Sequence, residues 1–346
     1  MKSVKTGAAI EEYLAHLRAK RLAENTVKQQ TTVLRRARKV WGDILISSIE
    51  PRHIDRLFTD GGWAPGTQNL YLGTIRQFFK WCRLHSLMGK DFDPTATWGN
   101  ARLPRNQDRN RIPVEQFKEI LDAAQHPRDR AIIALGLYTF ARGSEISLLK
   151  VHDLNLTDGL IHLYRVKTLD EDDLPISSEL QEEMGRWLNW YRKDQGTLRG
   201  TWYLTPAKQP NPYGYDPSTR LLTPLQGLAH VKPEVREARP YRAVQRALRA
   251  LGQPSLGEGV HTLRRSSARA YADHLRSEGY DGALLRTASF LGHRSTKVTE
   301  HYIGWGLERD QRNKMVKGQP MFPEVAREPG LRIVGGTDGR DRDQGV

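Results

Sequence analysis

Residues 291–302 read LGHRSTKVTEHY, and the rest of the chain is best read outward from this segment. Gly292 supplies a turn ahead of His293, and Tyr302 follows nine residues later at the edge of a helical stretch. Singly, neither residue says much. A lone histidine is more often a satisfied structural group than a functional one, and an isolated tyrosine at a helix edge is usually a packing residue.

Three further stretches join it. HTLR at 261–264 sets His261 and Arg264 at i and i+3, so a helix projects both donors to one side. ARGSEISLL at 141–149 gives Arg142 and Glu145 the same spacing, predicting a shared helix face at the edge of the apolar run AIIALGLYTF, residues 131–140. A buried arginine there needs a carboxylate or a bound anion. A structural Arg–Glu pair would satisfy it equally well. Lys167 follows the alternating run LIHLYRV and precedes an acidic turn, TLDEDD, that leads into Leu174-Pro175-Ile176. A hairpin lysine is ordinarily a solvated surface group.

Periodicity predicts four short amphipathic helices in the first hundred residues. They cover residues 8–22, then Val27–Trp41 with Asn25-Thr26 as the cap, a helix opened by Pro51 and closed by Gly61-Gly62, and Thr67–Leu87. Lys28, Arg35 and Arg36 on the second, and Arg76 and Lys80 on the fourth, are candidate DNA contacts, although basic helix faces are usually just solvated surface. Residues 99–111, GNARLPRNQDRNR, are polar and basic and read as a linker. Beyond it the pattern predicts a helix over 113–124 and a buried helical region over 129–149. Strands follow at 152–156, 160–166 and 173–176, then a helix to Asp194 opened by a capping box at Ser178–Gln181. Residues 205–240 show no period and read as a surface insertion. Helical pattern resumes at Tyr241 and again at His261. The Gly- and Asp-rich end, 330–346, reads as a flexible tail.

The 346 residues carry a net charge of +14, with 38% hydrophobic and 27% charged residues. That balance fits a protein with a real core and an excess of cations suited to a polyanion, nucleic acid first among them. No apolar run approaches the roughly 20 residues of a membrane span, and the N-terminus lacks a secretory apolar region, so a cytoplasmic protein is expected, nucleoid-associated if the polyanion is DNA. One cysteine, Cys82, excludes an internal disulfide and a Cys-rich zinc site.

The order and spacing of these stretches resemble the tyrosine recombinase family of phage integrases and Xer-type enzymes. ARGSEISLL is similar to that family's first arginine box, HTLRRSSA to its second, and LGHRSTKVTEHY to its closing histidine and nucleophile segment. Lys167, eight positions before Pro175, is similar to its hairpin lysine. Arg265-Ser266 stand where the family usually has His-Thr, Ala141 replaces a usual Leu, and the 205–240 insertion is long. The resemblance implies a mainly α fold with a small antiparallel β-sheet. It divides the chain into an all-α core-binding domain (1–98), the linker (99–111), a mixed α+β catalytic domain (112–320) and a C-terminal tail (321–346), without a lambda-type arm-binding domain.

It also implies a site-specific DNA recombinase, a phage or mobile-element integrase or else a Xer-like chromosome or plasmid resolvase. Such an enzyme works through a 3′-phosphotyrosyl bond and a Holliday junction, without metal, ATP or other cofactor. Its partners are double-stranded attachment sites and three further copies of itself in a tetramer on two duplexes, with room for an accessory directionality factor or host bending protein. The implied catalytic set is Arg142, Lys167, His261, Arg264, His293 and Tyr302, supported by Glu145, and residues 307–317 are expected to dock on a neighbouring protomer. The chemistry suits these side chains. Two guanidiniums meet the charge that grows on non-bridging oxygens, a phenol near pKa 10 needs a cationic cradle or a base to attack, and a mobile lysine can protonate the leaving 5′-oxygen. Rival readings are a type IB topoisomerase-like relaxase, a helical DNA-binding regulator with no use for Tyr302, and a zinc hydrolase built on His261, His293 and His301. The neighbouring arginines, which would repel a cation, weaken the last.

Overall fold

Apolar residues three and four apart give each N-terminal helix one buried stripe, and their length and composition leave these helices dependent on packing against one another. In the computed structural model, residues 3–103, 110–209, 213–216, 221–224 and 228–304 are described, the two short strands within 213–224 by backbone alone. The chain divides into two units, residues 1–107 and 108–346.

In the first unit, α1 (Thr6–Ala19), α2 (Glu24–Trp41), α3 (Pro51–Gly61) and α4 (Pro65–Leu84) enclose a core that includes Leu14, Leu34, Ile54, Phe78 and Phe79. Proline at the first position opens α3 and α4, where its missing N–H costs nothing. Gly62 ends α3 in the left-handed conformation, φ +56°. The start of α2 differs from expectation. Asn25-Thr26 lie inside the helix, which begins at Glu24 after Ala23, with no side-chain cap. Glu24 instead complements the helix dipole and pairs with Lys28 at 2.7 Å. Cys82 is buried. Residues 98–101 belong with α4: Asn69 exchanges hydrogen bonds with the backbone of Ala101 (2.9 and 2.7 Å), and Trp98 Nε1 donates to Asp55 at 2.7 Å.

The second unit begins with a 3₁₀ turn, Val114–Gln116, and the short α5 (Phe117–Asp122), where one continuous helix was expected. Helix α6 (Pro127–Tyr138) is buried along most of its length, its stretch from Ala131 to Leu137 uniformly apolar after a charged first turn, and it is the centre of the unit, touching α5 and the later α8 (Ser178–Gln195), α9 (Tyr241–Ala250) and α10 (Val260–Ser277). It does not run on to Leu149. Phe140 turns the chain at φ +51°, Arg142 is extended, and only then does the four-residue α7 (Gly143–Ile146) form. Strands β1 (Leu154–Asn155), β2 (Leu160–Arg165) and β3 (Asp170–Pro175) make an antiparallel sheet in that order. Most of the expected acidic turn is therefore strand, since Asp170, Glu171, Asp172 and Asp173 pair with Arg165, Tyr164, Leu163 and His162. The α8 cap is Ser177, one residue earlier than read, and it accepts from Leu180 N at 3.3 Å.

The 205–240 insertion contains β4 (Pro206–Lys208), β5 (Tyr213–Asp216), β6 (Leu221–Pro224) and β7 (Val231–Arg236), paired β4 with β7 and β5 with β6. Its ends are anchored by Arg128, 1% exposed, which donates to Pro206 O at 2.9 Å and to Glu237 at 2.6 Å. Asp129 beside it also takes Lys208 (3.2 Å) and Arg246 (2.9 Å). Helices α11 (Ala283–Leu291) and α12 (Thr296–Ile303) close the described chain. The fold is helical with small antiparallel sheets, as expected. Among the described residues no helix is long and apolar enough to cross a membrane. Residues 305–346, including the expected docking segment 307–317 and the tail, lie outside the described residues.

Candidate active site

Helix α10 starts after Gly259 and presents His261 and Arg264 one turn apart. Arg264 is 1% exposed, so its guanidinium must be satisfied internally. It donates to the carbonyl of Phe140, at the turn that ends α6, and to the carbonyl of Leu291 at 2.6 Å. Leu291 is the last residue of α11, where helical carbonyls lack partners and a cation is favoured. Burial, and then the nearby Arg142 charge, push Arg264 down to about 10, which leaves it cationic at neutral pH.

Arg142 and Glu145 meet by a different route from the shared helix face expected. Arg142 precedes α7 in an extended conformation, and Glu145 reaches back to accept from its backbone N–H at 2.6 Å and from Nη1 at 2.7 Å. The Glu145 carboxylate is buried and also faces Arg165 Nη1 at 3.4 Å and Arg264 Nη1 at 3.9 Å. Burial alone would raise its pKa. The hydrogen bonds from Arg142 and the charges of Arg142 and Arg165 outweigh burial and hold it below the ordinary value.

Arg165 is the residue the sequence reading missed. It ends β2, 2% exposed, and its guanidinium donates to Asp172 on β3 (2.7 and 3.2 Å) and to the carbonyl of Phe290 (3.0 Å). A signal was present, because strict alternation in β2 buries Ile161, Leu163 and Arg165 on one face. A cation at an inward position demands partners.

Gly292 holds φ +61° after α11, and His293 follows it. His293 Nδ1 lies 3.0 Å from Thr299 Oγ1 on α12, and the imidazole meets the Tyr302 ring edge to face, with centroids 5.5 Å apart. The Arg264 guanidinium carbon is 5.9 Å from the centre of the Tyr302 ring, and the Tyr302 hydroxyl donates to the carbonyl of His261 at 3.4 Å. Desolvation raises the phenol pKa despite the opposing charges of Arg264, Arg265 and Arg142. Desolvation and the cations around it bring His293 down to about 4, and the same causes lower His261. Both imidazoles are therefore neutral at pH 7. Lys167 is exposed in the β2–β3 turn, and its charge contributes to depressing His293. The structure thus gathers Arg142, Glu145, His261, Arg264, His293 and Tyr302 into one cluster, with Lys167 at its margin.

A family model described as the phage integrase family matches residues 110–305. The chain belongs to the phage integrase family. It is accordingly a site-specific DNA recombinase, and the sequence resemblance is borne out. The tyrosine recombinase XerC of Pseudomonas fluorescens is 25% identical over 308 residues, covering 85% of this chain and 90% of its own. A lambda integrase tetramer bound to a Holliday junction is similar in fold at 18% identity and TM-score 0.63, covering 87% of this chain and 78% of that one. The XerH recombinase bound to palindromic difH substrate, in a post-cleavage complex, is similar at 14% identity and TM-score 0.60, covering 90% and 84%.

In the first unit, the candidate DNA contacts differ in their surroundings. Lys28, Arg35 and Arg36 are exposed on α2, and Lys80 is exposed on α4. Arg36 rests over the Trp63 ring at 5.2 Å. Arg76 is turned inward along its own unit, donating to the Trp98 carbonyl and to Asn100 at 3.3 Å, so it serves the packing of residues 98–100. In the second unit Arg265, at the place where the chain departs from the usual second box, is buried and donates to the Asn110 carbonyl. That bond ties the start of the unit to α10.

Proposed function

We propose that this integrase cuts and rejoins double-stranded DNA with Tyr302 as nucleophile. The observation that carries the reading is the juxtaposition, in one chain, of the Tyr302 phenol with His293 and the buried Arg264, beside an Arg142 locked by Glu145. The Tyr302 oxygen attacks a backbone phosphorus, forming a tyrosyl–phosphate ester at the 3′ end as the bond to the 5′-oxygen breaks. Arg142 and Arg264 meet the charge on the non-bridging oxygens. The phenolic proton passes to His261 or His293, both neutral, with the phosphate bound beside them offsetting the cations that depress their basicity. Lys167 gives its proton to the leaving oxygen, and rejoining runs the same steps backwards. Glu145 orients Arg142 and moves no proton. The covalent ester retains the energy of the broken bond, so the cycle uses no ATP and no metal.

Residues 1–98 act as the core-binding domain and 112–320 as the catalytic domain, joined by the segment from 99 to 111. Four copies act on two attachment sites, consistent with a fold shared with a lambda integrase that forms a tetramer on a Holliday junction. An integrase of a phage or mobile element is the reading preferred here. A chromosome or plasmid resolvase is the second reading, favoured by the similarity to XerC over most of both chains. The test is to incubate the protein with nicked duplexes from the DNA flanking its gene and look for a denaturant-stable adduct mapped to Tyr302 by peptide mass spectrometry. Adduct at another residue, or none, would overturn the proposal. Joining to a sequence repeated at a tRNA gene would mark an integrase, and resolution of directly repeated sites would mark a resolvase.

A further inference from the structure

The hairpin that carries Lys167 is fixed at its root by one buried guanidinium. Arg165 stands two residues before Lys167, and its donors reach three separate elements: Glu145 in α7 at 3.4 Å, Asp172 in β3 at 2.7 Å and the Phe290 carbonyl near the end of α11 at 3.0 Å. Each contact belongs to a part of the candidate site. Glu145 holds Arg142, Asp172 lies on the strand that returns from Lys167, and Phe290 begins the turn that delivers His293. Gly292 packs directly on the guanidinium, where a Cβ would lie in van der Waals contact with Arg165 Nε at 3.4 Å, and its φ of +61° is what favours glycine there. Past this point the chain folds back through bonds from Thr168 N and Leu169 N to the Arg165 carbonyl (3.1 and 2.8 Å), leaving Val166, Lys167 and Leu169 exposed.

We propose that Arg165 is a positioning residue for strand cleavage, fixing the Lys167 hairpin and the His293 turn in register with the Glu145–Arg142 pair. The inference rests on the recombinase reading above, with Lys167 as the acid. A purely structural ion pair would give a general loss of stability. Arg165 is distinguished by having all its side-chain partners on elements that present site residues. An acid displaced by about 1 Å costs on the order of 10²-fold in rate, so the root of the hairpin governs what its tip can do.

The experiment compares two nicked duplexes bearing the crossover sequence, identical except that the bridging 5′-oxygen at the cleaved bond is replaced by sulfur in one. A thiolate leaves without a proton, so sulfur repairs a defect in proton delivery but not one in binding phosphate charge. The variants are Arg165→Lys, which keeps the charge and loses the fork, and Asp172→Asn, which takes the charge out of the hairpin contact alone and weakens it. On oxygen both should form adduct about 10- to 100-fold more slowly, the range for residues supporting a catalytic group. On sulfur both should recover to near the wild-type rate, as Lys167→Ala should, while Arg142→Ala stays slow on both. Equal slowing on the two substrates, no slowing on either, or a Lys167→Ala variant that sulfur fails to rescue overturns the proposal. If Arg165→Lys does not fold, Asp172→Asn decides. Wild-type adduct at Tyr302 in the same gel reports separately on the recombinase reading.

Discussion

The imidazole of His293 and the phenol of Tyr302 meet edge to face, with ring centroids 5.5 Å apart and planes at 89°. Thr299, on the same helix as Tyr302, lies 3.0 Å from the other side of the relationship at His293 Nδ1. A single short helix, α12, therefore fixes both groups against Arg264. The phenol ring thus faces a cation of its own chain, the Arg264 guanidinium carbon lying 5.9 Å from its centre.

Removing the Tyr302 hydroxyl should abolish the chemistry and little else. Tyr302→Phe loses one hydrogen bond, 3.4 Å to the His261 carbonyl, worth about 1 kcal/mol or less. Gel-shift affinity should match wild type while covalent adduct is absent. Residual adduct in this variant would mean a different nucleophile.

Glu145 is the shared counter-charge of Arg142, Arg165 and Arg264. Glu145→Ala takes from Arg142 its carboxylate and from Arg165 and Arg264 a buried counter-charge, and should cost about 3–5 kcal/mol of stability in urea unfolding, as for other broken buried pairs. Its carboxylate pKa is depressed in the folded state, so its contribution is present above the unfolded value and is lost as pH falls through the folded one. The variant should therefore show a flatter stability profile at acid pH. An identical profile would remove Glu145 from this role.

His293 should titrate far below an ordinary histidine. With a folded value of about 4 against an ordinary 6.5, the unfolded chain takes up the proton first, so this group costs stability progressively as pH falls from about 6.5 to about 4. DNA phosphate at the site stabilises the imidazolium and should move the midpoint upward. Imidazole carbon resonances followed by NMR with and without duplex would show it. A midpoint that stays put on binding contradicts phosphate contact near His293.

Asp129 anchors the inserted strands, holding Arg128, Lys208 and Arg246 together. Its carboxyl is depressed to about 2 by those cations despite burial, so about 2 kcal/mol of stability should be lost as pH falls from near 4 to near 2. Asp129→Ala should cost about 3–5 kcal/mol and increase amide exchange in β4 and β7. Unchanged protection of those strands would show that the anchor lies elsewhere.

Secondary structure was legible wherever burial has a simple period. The four N-terminal helices, the β2 alternation and the proline start of α3 follow from local spacing, while the proline start of α4 at Pro65 lay two residues before the start read at Thr67. Legibility failed at 129–149, where the apolar run masks a break at Phe140, and at 205–240, whose ends are held by Arg128 and Asp129 through Pro206, Lys208 and Glu237 rather than by a periodic pattern. It failed also at Arg165, whose inward position was readable in β2 but whose partners were not.

By itself the sequence determined which side chains are present and their order: two arginine boxes, a hairpin lysine, a histidine after a glycine turn and a tyrosine nine residues on. Tertiary structure alone decided which of them meet and in what state of charge. Arg264 finds its acceptor at Phe140, 124 positions away, and Arg165 finds Phe290 at a separation of 125. Hydrophobic periodicity is a property of neighbours along the chain, whereas the partners of a buried charge and the water it loses depend on surfaces that exist only after distant segments have packed.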